Sequence, residues 1–209
     1  MSPKVLARDM SKRSYIVKCL SPILRSFRNT FSEIRYEQIE KNIIKSIRNV
    51  NNIFAINIKI QKTDLLVLRL LDITEILHVE VSRPPYKPEK KHTVREAKKL
   101  LMIAVCNLCR ILANNFDCLI EITKKVKLYS IQIIGDKLTL FAILLIDNKK
   151  YLAIKLALYI ILYSLKTIRC YTKIFNFFKI IRNKFVEQEK LLEKFCSFML
   201  SVNDDTSDL

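Results

Sequence analysis

The chain has 209 residues, half of them apolar, with a formal net charge of +17 and a single glycine. That length makes one domain the default and leaves ample apolar material for a core. The charge predicts attraction to polyanions such as DNA, RNA or an anionic membrane surface, and one glycine excludes the Gly-rich loops of P-loop ATPases and dinucleotide-binding folds.

Residues 1–13 are polar and read as a loose N-terminus. The opening stretch MSPKVLARDMSKRSY has no apolar segment of the kind a signal peptide needs. It predicts an intracellular chain, nuclear or cytoplasmic, whose six cysteines are free thiols. Tyr15, Ile16, Cys19, Leu20, Ile23, Leu24, Phe27 and Phe31 then recur at helical spacing. Lys12, Arg13, Lys18, Arg25 and Arg28 give that helix a basic outer face, and Pro22 predicts a kink. Ile34–Glu40 fits a short strand, but Ile39, Ile43, Ile44, Ile47 and Val50 fit a helix equally well, and the pattern leaves both open. Phe54–Ile60 alternates apolar and polar residues, as a strand or the approach to one would.

The next stretch carries the chemistry. Leu65–Leu70 and Ile76–Val81 are short, apolar and rich in branched residues, the pattern of two buried strands joined as a hairpin. Asp64 opens the first run and Glu80 lies near the end of the second, so antiparallel pairing brings the two carboxylates together. Glu80 points to the opposite face from Val79 and Val81. A carboxylate within an apolar strand needs a compensating partner. Two such oxygen ligands suit Mg²⁺, which usually takes one or two carboxylates plus phosphate and water. Lys62, two residues before Asp64, shares its face if the strand extends that far.

After Ser82, Pro84, Pro85 and Pro88 mark an extended, solvated loop. Thr93, with Glu96 three residues on, has the form of a capping box. The helix it predicts runs from Val94 to about Leu112, with Ala97, Leu100, Leu101, Ala104, Val105, Leu108 and Ile111 or Leu112 as its buried stripe. Lys98 and Lys99 fall in its first two turns. Cys106 and Cys109 have zinc-like spacing but no second pair, and His78 and His92 lack a partner at ligand spacing.

Ile120–Ile122 reads as a short strand. YSIQII, KLTLFAILLI and YLAIKLALYII then predict a three-strand meander, with the only glycine, Gly135, at a tight turn before Asp136. The apolar runs Leu138–Ile146 and Leu156–Leu165 fall short of the ~18 residues a membrane span needs and read as buried strands. From about Leu165 to Leu200 the spacing is helical, with a basic outer face, and residues 201–209 read as a disordered acidic tail.

An acid opening one strand, a hairpin, and a second acid in the next strand resemble the core of the PD-(D/E)xK nuclease superfamily. The words KTDLLVL, EILHVEVSRPP and HTVREAKKLLMIAVCNLCR are also similar to uncharacterised, lineage-expanded fungal proteins, best known from arbuscular mycorrhizal fungi, that form a divergent branch of that superfamily. The resemblance implies an α/β domain over residues 14–200, a mixed β-sheet flanked by helices in the restriction-endonuclease-like architecture. It implies that Asp64 and Glu80 hold Mg²⁺. The motif lysine position is occupied by Ser82, and Lys98 or Lys62 is the candidate replacement in catalysis. The glutamate that many relatives carry on the first helix is matched by Lys12 and Arg13. Losing one electrostatic group of this kind costs ~10²–10³ in rate. The expectation is a nuclease-like nucleic-acid-binding domain, for DNA more than RNA, that is catalytically impaired or retains weak Mg²⁺-dependent phosphodiester cleavage. The alternative is a non-enzymatic protein-interaction or effector module on the same fold.

Overall fold

A computed structural model describes residues 11–30, 34–42, 62–69, 74–82, 90–113, 123–161 and 168–204, together with 48, 51, 52 and 59. The chain begins with α1 (Lys12–Tyr15), a π-helical turn (Ile16–Leu20) and α2 (Ser21–Thr30). The widened turn falls just before Pro22. Proline has no N–H to donate and its ring crowds the carbonyl four residues back. The helix accommodates it by an i→i−5 bond from the Ser21 N–H to the Ile16 carbonyl.

Six strands follow: β1 (Ile34–Asn42), β2 (Lys62–Arg69), β3 (Thr74–Val81), β4 (Lys127–Ile134), β5 (Lys137–Asp147) and β6 (Lys150–Ile160). They lie side by side in chain order in one sheet. Neighbours are antiparallel except β3 and β4, which are parallel and joined through α3 (Lys90–Ala113). A parallel pair requires such a crossover. The fold is therefore α/β, a mixed sheet with flanking helices. The last helix, α4, runs from Ile168 to Asp204, into the stretch expected as an acidic tail.

Alternation sorts the strands' side chains to two faces. Leu65, Val67, Leu77, Val79, Val81, Tyr129, Ile131, Ile133, Leu138 and Leu140 join the main core with Tyr15, Leu20 and Leu24 from the first helices and Ile174, Phe177, Phe178 and Ile181 from α4. The opposite face lies under α3, where Leu108 and Ile111 pack with Val126 and Leu128.

The expected hairpin and meander form. Of the two possibilities left open at Ile34–Glu40, the strand is the one adopted. Gly135 has φ 62 in the β4–β5 turn, and Lys149 has φ 56 in the next. The expected elements at 54–58, the proline-rich loop at 83–89 and the strand at 120–122 lie outside the described residues.

Three expectations need correcting. Thr93 is not a helix cap: α3 is already helical at Lys90, and Glu96 turns to Lys99 instead. Leu101 is exposed, and the buried stripe includes Ile103, Cys106, Asn107 and Arg110. The run at Leu156–Ile160 is a strand but not a buried one. Leu152, Ile154, Leu156, Leu158 and Ile160 are 38–49% exposed, because β6 is the outermost strand and nothing among the described residues pairs beyond it.

Candidate functional site

β2 starts and β3 ends at the same side of the sheet. Their register pairs Leu65 with Val79, which sets Asp64 opposite Glu80. Asp64 is held from two directions. Its Oδ2 accepts the Val81 N–H at 2.7 Å, and the Lys12 ammonium of α1 lies 2.8 Å from the same oxygen. The Asp64 side chain is 7% exposed and that of Lys12 33%.

Glu80 is fully buried. Its partner comes from α3: Lys99 Nζ stands 2.8 Å from Glu80 Oε1 and 3.0 Å from Glu96 Oε2. Glu96 and Lys99 sit one turn apart, so one stripe of the helix presents an acid and a base to the strand below. His92 Nε2 approaches the other oxygen of Glu96 at 3.9 Å. Gln132 of β4 lies beside Glu80 in the parallel register and donates to the Thr93 carbonyl at 3.3 Å.

Burial, and then the nearby Asp64 charge, push the Glu80 carboxyl up to about 9, against the pull of Lys99. Burial also opposes ionisation of Glu96, but hydrogen bonds with Glu80 and Lys99 outweigh it and hold that acid below its ordinary value. Lys99 loses some basicity to burial and regains more from Glu80 and Glu96, so it stays firmly charged. The Glu80 carboxyl is thus harder to ionise than an ordinary glutamate, and Lys99 is shared between it and Glu96.

The other residues singled out in the sequence fall around this centre. Ser82 is buried at 1% exposure, and its Oγ makes no hydrogen bond among the described residues. Its N–H donates to the Ile133 carbonyl at 2.7 Å. Lys98 is exposed on α3, and the helix lysine that reaches Glu80 is its neighbour Lys99. Lys62 is exposed at the start of β2. Sequence reasoning reads Glu96 as half of a cap and so misses it; Lys12 is read as outer-face charge and, through the resemblance, in place of a first-helix glutamate, and its pairing with Asp64 is not foreseen. The signal for Glu96 is its i,i+3 spacing to Lys99.

A second polar group lies deeper under α3. Asn107 donates its side-chain N–H to the Glu75 carbonyl, and Arg110 donates to Asn107 Oδ1 at 3.2 and 2.9 Å. His78 is buried 3.8 Å from Glu75 Oε2 and stands opposite Ser130. Cys106 and Cys109 are free thiols, and Cys109 Sγ lies 3.1 Å from the Tyr151 hydroxyl.

No family model, curated protein or solved structure matches the chain. No helix among the described residues is long and apolar enough to cross a membrane.

Proposed function

We propose that the chain is a nuclease-like nucleic-acid-binding domain, for DNA more than RNA, with impaired catalysis. The observation that carries this reading is the convergence of two basic helix starts on one carboxylate centre. Lys12 and Arg13 stand on α1, and exposed Lys91, Arg95 and Lys98 precede or flank Lys99 on α3. Clustered cations of this kind form the electrostatic footprint of a phosphate-backbone binder.

The superfamily reading rests on Asp64 and Glu80 in adjacent antiparallel strands. Three features of the centre argue against efficient cleavage. Ser82 supplies no charge at the motif lysine position. Lys99 is committed to Glu80 and Glu96. The expected Mg²⁺ does not fit the donor set as folded, because Asp64 Oδ2 is engaged by Lys12 and Val81 and Glu80 Oε1 by Lys99. Binding is therefore assigned to the basic helix starts, and no hydrolytic step is assigned to the carboxylates.

The alternative, a protein-interaction module on the same fold, draws on the exposed apolar residues of β6. The test is a nicking assay on supercoiled plasmid with Mg²⁺ or Mn²⁺, run beside a gel-shift assay. The expected result is retarded plasmid that stays supercoiled. Divalent-dependent nicking that disappears in both Asp64→Ala and Glu80→Ala would overturn the impaired-catalysis reading. Absence of a shift for the folded protein would favour the interaction module.

A further inference from the structure

The carboxylate centre is supplied with cations by its own chain. Lys12 Nζ is 2.8 Å from Asp64 Oδ2, and that oxygen also takes the Val81 N–H at 2.7 Å. A divalent ion binds a carboxylate oxygen at about 2.0–2.6 Å. An ammonium already seated on that oxygen stands where the ion or its bound water would have to be, and the two positive charges repel. Lys99 closes the other side, 2.8 Å from Glu80 Oε1. The two lysines differ in how firmly they are held. Lys99 bridges two acids and its side chain is 21% exposed. Lys12 pairs with Asp64, is 33% exposed, and reaches it from the first turn of α1.

We infer that Lys12 is a tethered cation occupying the position a divalent ion would take on Asp64, so that the centre excludes divalent cations until Lys12 is removed. This rests on the reading of Asp64 and Glu80 as a nuclease-like pair and adds how that pair is closed. Replacing Lys12 by glutamine frees the Asp64 oxygen. Replacing it by glutamate also places a second ionised carboxylate beside Asp64, giving a hard cation two oxygen donors near the Glu80 end of the sheet.

The test is Mn²⁺ binding to the full chain, read from the decrease of the free-ion electron paramagnetic resonance signal. It compares wild type, Lys12→Gln, Lys12→Glu and Lys12→Glu with Asp64→Asn, each checked for folding by circular dichroism. Wild type is expected to take up no saturable Mn²⁺ at about millimolar concentration, and Lys12→Glu to bind at least about tenfold more tightly. The gain should vanish when Asp64→Asn is added. If Lys12→Glu fails to fold, Lys12→Gln carries the same expectation with a smaller gain. Tight, Asp64-dependent uptake by wild type would overturn the inference, as would folded Lys12 variants that gain nothing. Duplex binding by the wild type is measured separately. Failure there would remove the nucleic-acid reading and leave the Mn²⁺ result standing.

Discussion

Glu80 is the residue on which the electrostatics of the centre turn. Its carboxyl is moved by burial and by Asp64 from an ordinary 4.5 to about 9. Below the lower value both folded and unfolded chains hold this proton. Between the two, the unfolded chain releases it while the native chain keeps it, so stability from this group falls as pH rises through that window. Wild type should show a urea midpoint that declines from about pH 5 to about pH 8.5, while Glu80→Gln, which keeps shape and neutrality, should flatten the decline. An unchanged slope in Glu80→Gln would place the pH dependence elsewhere. The approach of Asp64 to Glu80 was legible in the sequence, because two-residue alternation and hairpin pairing fix which side chains meet. The working helix lysine was not. Residues 100–106, LLMIAVC, are apolar almost all round, so the pattern does not set the rotation of α3. Buried Asn107 and Arg110 belong to the stripe that faces the sheet, and that stripe brings Lys99, not Lys98, to Glu80.

Single turns and edges decide how the elements hold together. Gly135 is in the left-handed region at φ 62, and its carbonyl accepts the Tyr15 hydroxyl at 3.3 Å, tying α1 to the β4–β5 turn. Gly135→Ala should cost about 1–2 kcal/mol, read as a lowered denaturation midpoint. A cost near zero would mean that the turn relaxes to another form. That turn was legible because it holds the only glycine in the chain. The status of β6 was not legible. Leu138–Ile146 and Leu156–Leu165 look alike as sequences, and only the strand order makes the first interior and places Leu156–Ile160 of the second at an edge. Long apolar edges invite pairing with other chains. Here Lys155 projects from the middle of the strand, and the extra residue Leu156 breaks the register between Ala157 and Lys155. Both are recognised ways of blunting an edge. Lys155→Val should therefore increase self-association in sedimentation velocity at concentrations where wild type stays at its native size. An unchanged distribution would show that Lys155 does not guard this edge.

Across the whole molecule, the mixed sheet with flanking helices follows from the alternation of strand and helix patterns along the chain. The convergence of α1 and α3 over one end of β2 and β3 depends on tertiary packing, and periodicity within each helix could not reveal it. That convergence brings Lys12 and Lys99 to one carboxylate centre in a chain of net charge +17, the basis of the proposed phosphate-backbone binding. Arg95→Glu together with Lys98→Glu, both exposed, should weaken duplex binding. It should also flatten the salt dependence by about 0.9 in log–log slope for each phosphate that is no longer neutralised. The central claim is tested most directly by fluorescence anisotropy of a random-sequence DNA duplex titrated with wild-type protein over a range of salt concentrations. A phosphate-backbone binder should show log affinity falling linearly with log salt, with a slope of about −3 or steeper. No binding at low salt, or affinity indifferent to salt, would contradict the assignment of a nucleic-acid partner.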